Sequence, residues 1–126
     1  MPHEISNPRA RDIIERLFPA TGQKRLDQLE KLDPQLSQIL EDFIFGGLYA
    51  RDVLDQRTRE LCALSALVVL GRNAQIRSHI LASLNAGATR AEIQEVIIQM
   101  MVYSGFPSTL GGLDVMTQVW KELDGE

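Results

Sequence analysis

The sequence predicts an all-α protein, a single-domain antiparallel helical bundle, and three observations predict it. Apolar residues recur at three- and four-residue spacing, and strict apolar–polar alternation is nowhere sustained, so strands are not expected. Helix caps and stops punctuate the chain at Asp33-Pro34, Gly71, Gly87 and Thr89-Arg90-Ala91-Glu92. The connections between these signals are short, which favours antiparallel neighbours. A length of 126 residues suits one domain.

A first helix is expected over Arg9–Leu17, with Ile13, Ile14, Leu17 and Phe18 as its apolar stripe and Pro19 ending it. The charged stretch Gln23–Leu32 forms a second, loosely periodic helix through Leu26 and Leu29. Asp33 then reads as an N-cap, and Pro34 sits in the first turn, where a missing N–H costs nothing. Behind it, Leu36, Ile39, Leu40, Phe43 and Ile44 are spaced as one buried face, and Gly46-Gly47 is expected to stop the helix. Leu48–Leu54 connects to a helix capped by Asp55, running from Gln56 to Leu70 and stopped by Gly71. Asn73 is expected to cap the next helix, which ends before Gly87. Thr89 and Glu92 have capping-box spacing, so a further helix runs from there to about Tyr103. Pro107 opens a last helix that reaches Leu123.

Two of these helices lack a polar face. Between Leu61 and Leu70 only Ser65 is polar, and between Val96 and Tyr103 only Gln99 clearly is. A helix that is hydrophobic all round must be buried on all sides, and a chain this short has little interior to offer. Covering by identical subunits in closed symmetry is the expected solution. Gly111-Gly112 inside the last helix points either to close helix approach or to a local break.

Composition removes several functional classes. The net charge of −4 gives no reason to expect nucleic acid or anionic membrane as a partner. The longest apolar run, Leu61–Leu70, is far short of the roughly 20 residues that span a bilayer. The N-terminal Met1-Pro2-His3-Glu4 lacks a signal pattern, and Cys62 is the sole cysteine, so a reducing cytoplasm is the expected compartment. His3, His79 and Cys62 have no metal-ligand spacing, and no phosphate-binding glycine loop or nucleophile elbow occurs. No metal site and no nucleotide-cofactor loop are expected. Cys62, within an apolar helix, is expected to be inert core.

The remaining polar groups are the candidates for chemistry. His79, Gln75 and Arg72 are spaced along one side of a helix or its entry turn. The imidazole can exchange a proton near neutral pH, and Arg72 can hold a carboxylate. A packed histidine with ordinary hydrogen bonds fits the same residues. Gln99 and Tyr103, four apart, share a face and can present donors to an apolar pocket or to a neighbouring carbonyl. Glu60 opens an apolar helix beside Arg57 and Arg59, a position that either the helix dipole or a pocket explains.

The stretch from Tyr49 to Pro107 resembles the carboxymuconolactone decarboxylase family. The pieces that carry the resemblance are Arg57-Thr58-Arg59-Glu60-Leu61, Ile76-Arg77-Ser78-His79 and Leu84-Asn85-Ala86-Gly87-Ala88-Thr89. They are followed in order by Glu92-Ile93-Gln94-Glu95-Val96-Ile97-Ile98-Gln99 and Tyr103-Ser104-Gly105-Phe106-Pro107. Residues 33–123 read as the family-like core and residues 1–32 as an N-terminal helical extension without a match. The resemblance implies an all-α fold of the alkylhydroperoxidase-like type, assembled as a homotrimer or homohexamer. Glu60 and His79 stand nineteen residues apart, which fits the frame of the alkylhydroperoxidase-like branch. That branch's two cysteine positions hold Arg72 and Gln75 here, which excludes dithiol peroxidase chemistry.

Gln99 leading through an apolar run to Tyr103 and a Gly-x-Pro is similar to the decarboxylase branch, which acts on a butenolide acid without cofactor. The resemblance then implies a carboxylate held by Arg72, with Arg57 in reserve. An apolar pocket disfavours that carboxylate, and His79 acts as proton donor with help from Gln99 or Tyr103. Glu60 orients His79 if their helices face each other. The segment Ala50–Gln56 and the start of the last helix depart from the pattern of close decarboxylases. Two alternatives therefore stand beside this reading. One is a cofactor-free enzyme of natural-product biosynthesis acting on a larger lactone, quinone or polyketide. The other is a non-catalytic oligomeric binding protein.

Overall fold

The computed structural model describes residues 2–126, and no strand occurs among them. The chain divides into two compact units, Met1–Asp55 and Gln56–Glu126.

In the first unit, α1 (Pro8–Leu17) starts on Asn7, whose Oδ1 accepts from the amides of Arg9 and Ala10 at 3.0 and 3.3 Å. Its buried stripe is Ala10, Ile13, Ile14 and Leu17. After α2 (Gly22–Leu32), which buries Leu26, Asp33 caps α3 (Pro34–Gln38) by accepting from the Gln35 amide at 2.9 Å. From Ile39 to Leu48 the same helix widens into π-type i→i+5 bonding, closed by the Tyr49 amide on the Ile44 carbonyl at 2.9 Å.

Two expectations change here. The helix does not stop at Gly46-Gly47 but runs through both. Glycine is needed there because a Cβ at Gly47 would sit 2.8 Å from the Asp42 carbonyl, and one at Gly46 would strike the Asn7 side chain. The face that packs is also not the apolar one. Ser37, Glu41 and Phe45 are buried, whereas Leu36, Ile39 and Phe43 are exposed. The rotation follows from two anchors. Glu41 collects hydrogen bonds from residues 3–7, and Phe45 stacks on Phe18 with ring centroids 5.3 Å apart.

The second unit is built from α4 (Gln56–Leu70), α5 (Asn73–Asn85), α6 (Arg90–Gln99), the single turn α7 (Met101–Ser104) and α8 (Phe106–Leu123). α4 packs on α5, α6 and α8 around a core that includes Leu64, Val68, Ile80, Ile93, Ile97 and Val119. The chain reverses at Gly71 (φ 70°) and Gly87 (φ 97°), positive dihedrals that glycine adopts without strain. Thr89 and Glu92 form the expected capping box. Asn73, however, is the first residue of α5 rather than its cap; Arg72 occupies the cap position and makes no side-chain cap bond.

α8 is unbroken through Gly111-Gly112, which decides for close approach. A Cβ on Gly112 would lie 2.9 Å from Ile97 Cγ2 and 3.2 Å from Val68 Cγ2. The apolar helices are not covered all round by their own chain. α4 buries one line of residues, Glu60, Leu64 and Val68, while Leu70 stays 63% exposed. Cys62 is exposed rather than core, since it lies on the side away from that line. Val102 and Tyr103 are 80% and 70% exposed. An apolar sequence does not by itself put every face of a helix inside.

Candidate active site

The one buried line of α4 begins with a carboxylate. Glu60 precedes Leu64 and Val68 by one and two turns, so the packing that buries those two buries Glu60 completely. On α5, Ile76 and Ile80 are buried and bind that helix into the same core. His79, next to Ile80, is carried toward α4 and remains partly exposed. The result is a contact of 2.6 Å between His79 Nδ1 and Glu60 Oε2. Ser83, one turn on, donates its hydroxyl to the His79 carbonyl at 2.6 Å.

A buried carboxylate must be compensated, and an imidazole N–H does so most fully when the ring is positively charged. Glu60 Oε1 is buried and finds no hydrogen-bond donor among the described residues. An unsatisfied buried oxygen costs stability, so an apolar pair of the same volume would serve the core better. The arrangement suits proton chemistry: a carboxylate fixes the ring through Nδ1, and Nε2 is the nitrogen that could exchange a proton.

The other candidates are placed differently. Arg72 lies exposed in the α4–α5 turn, where its amide donates to the Leu67 carbonyl at 3.0 Å. Gln75 is exposed on the first turn of α5. Gln99 ends α6 and Tyr103 lies in α7, both exposed, with Met100 between the two helices. Arg57 forms an ion pair with Glu92, linking the first turns of α4 and α6, so its guanidinium already holds a carboxylate. Among the candidates, Glu60 and His79 form the hydrogen-bonded pair.

A second histidine–carboxylate pair went unnoticed in the sequence. His3 and Glu41 are both buried in the first unit, with His3 Nε2 2.5 Å from Glu41 Oε1. Two adjacent acidic residues, Glu41 and Asp42, inside a largely apolar helical segment were the available signal. The partner of Glu41, nearly forty residues away, carried none.

Comparison with known proteins places the chain in a family. The chain is 34% identical over 110 residues to an uncharacterized 15.0 kDa protein from an intergenic region of Paracoccus denitrificans, covering 86% of this chain and 82% of that one. It is 28% identical over 100 residues to the 4-carboxymuconolactone decarboxylase of Acinetobacter baylyi, covering 79% of this chain and 75% of that enzyme. A third relative, 28% identical over 83 residues, is the nitrosuccinic acid decarboxylase of Metarhizium robertsii, with coverage of 64% and 56% respectively. Residues 34–118 match the sequence profile of the carboxymuconolactone decarboxylase family. With two thirds of its length inside that match, the chain belongs to the carboxymuconolactone decarboxylase family.

Proposed function

We propose that this protein is a cofactor-independent decarboxylase of 4-carboxymuconolactone or a related butenolide carboxylic acid, acting in the cytoplasm as a homotrimer or homohexamer. The observation that carries the reading is the contact of 2.6 Å between the buried Glu60 and the partly exposed His79. Two relatives support the class of reaction, one named for a lactone acid and one for a nitro acid.

Decarboxylation needs a place for the electrons of the breaking carbon–carbon bond, and then a proton. In a butenolide acid those electrons pass toward the lactone carbonyl, giving a dienolate. His79, oriented through Nδ1 by Glu60, delivers the proton to carbon from Nε2, and the product is an enol-lactone. Arg72 holds a carboxylate of the substrate, with Gln75 beside it. Gln99 and Tyr103 donate to the developing oxygen anion. The exposed apolar side chains of α7, together with Phe106 and Leu110, support an assembly in which a second copy covers them. That covering would also place Gln99 and Tyr103 in an apolar wall.

The test is an ultraviolet and proton-NMR assay of the purified protein with 4-carboxymuconolactone and no added cofactor. The expected result is CO2 release with enol-lactone formation, reduced about 10²- to 10⁴-fold in His79→Ala. Unimpaired turnover by His79→Ala removes histidine from the mechanism. No turnover by a folded oligomer removes this substrate class.

A further inference from the structure

The N-terminal unit contains a buried ionisable cluster that the proposed chemistry does not use. Residues 2–7 form no helix and run as a strap across the unit. His3 is 8% exposed, and both of its ring nitrogens face carboxylates. Nε2 lies 2.5 Å from Glu41 Oε1, and Nδ1 lies 3.4 Å from Glu30 Oε2. A neutral imidazole carries one N–H and can serve only one of them; the imidazolium serves both.

The rest of the strap depends on the same carboxylate. Glu41 Oε2 accepts from the amides of Ser6 and Asn7 at 3.0 and 2.8 Å. The His3 amide donates to Asp27 at 2.8 Å, and the Gln23 amide group donates to the His3 carbonyl at 2.7 Å. The strap also borders an open surface groove shared with Arg11 and Gln23.

We propose that His3 is a proton-dependent latch: as an imidazolium bridging Glu41 and Glu30 it holds residues 2–7 against the unit, and its deprotonation releases the strap.

The charges around the ring favour its protonated form and so the closed strap. From α2 come Glu30 and Asp27, with Lys31 near Asp27; from the Ile39–Leu48 stretch come Glu41 and, farther off, Asp42. α1 contributes Arg11, whose guanidinium donates to the Ile5 carbonyl, and the strap itself carries Glu4. Burial works against the charged ring, but the hydrogen bonds and charges of Glu41 and Glu30 outweigh it and hold His3 above its ordinary 6.5. Burial likewise works against the Glu41 carboxylate, yet the His3 bond and the two amides hold it below its usual range.

The signs follow. The contribution of His3 is complete below its unfolded value near 6.5 and is lost as pH rises through the higher folded value. The contribution of Glu41 is present above its unfolded value near 4.5 and is lost as pH falls through the lower folded value. The latch is therefore tightest between the two, with His3 setting its alkaline limit and Glu41 its acid limit.

Hydrogen exchange of the Ser6 and Asn7 amides, with ¹⁵N NMR of the His3 ring, tests this on the full chain from about pH 6 to about pH 9. The expected result is a His3 titration above 6.5, with protection of both amides, corrected for intrinsic exchange, falling up to about tenfold per pH unit until the ring is neutral. In His3→Gln the protection is lower and does not vary with pH. Should that variant not fold, Glu30→Gln keeps the Glu41 bond and is expected to shift the His3 titration downward and the loss of protection with it. A His3 titration at or below 6.5, or amide protection in the wild type that ignores the His3 titration, overturns the proposal.

Discussion

At the scale of single residues, the chemistry rests on how Glu60 acts through His79. Glu60 is a positioning residue in the proposed mechanism, so Glu60→Gln should lower kcat by about 10²-fold while leaving KM nearly unchanged. A purely structural carboxylate would leave kcat per folded molecule in place. Glu60→Leu, which removes the buried oxygen that has no donor at similar volume, should hold or raise stability in urea unfolding while lowering kcat. Both residues were visible in the sequence as candidates. Their contact was not, since it depends on two helices from separate stretches of chain meeting at the correct rotation. Arg57 shows the converse: its type suited a substrate carboxylate, but the fold gives it Glu92.

Among the elements, α8 carries the clearest test. Gly112→Ala gains helix propensity worth about 1 kcal/mol. It also drives a methyl group to 2.9 Å from Ile97 and 3.2 Å from Val68, and such overpacking costs about 1–3 kcal/mol. The expected net result is destabilisation of about 1 kcal/mol in urea unfolding, whereas Gly111→Ala, with only Asn73 Oδ1 at 3.8 Å, should be neutral or stabilising. The α3 helix and its π-helical continuation teach a different lesson. Their apolar spacing pointed to Leu36, Ile39 and Phe43 as the inward face, and the unit instead turns Ser37, Glu41 and Phe45 inward. Periodicity locates an apolar stripe; it does not say which surface the stripe will meet. Here the strap's amides and the Phe18 ring decided the rotation.

For the whole molecule, the exposed apolar side chains are the feature that a single chain leaves unexplained. Val102→Glu tests whether a second copy covers them. If Val102 stays at 80% exposure in solution, the substitution costs little and leaves the mass in solution unchanged. In the proposed trimer or hexamer it buries an unpaired charge, and light scattering should report a smaller species. Loss of activity together with loss of assembly would tie Gln99 and Tyr103 to a site completed between copies.

The sequence by itself determined the helical class, most helix ends and the family, because caps, glycine stops and three-to-four spacing act within a few residues and need no tertiary context. It also supplied Glu60 and His79 at a family-like separation. Tertiary structure alone decided the 2.6 Å bond between them, the inward face of the helix carrying Glu41, and the pairing of His3 with Glu41. Those outcomes depend on side-chain satisfaction across long chain separations, where a buried carboxylate takes whichever donors the fold brings within reach.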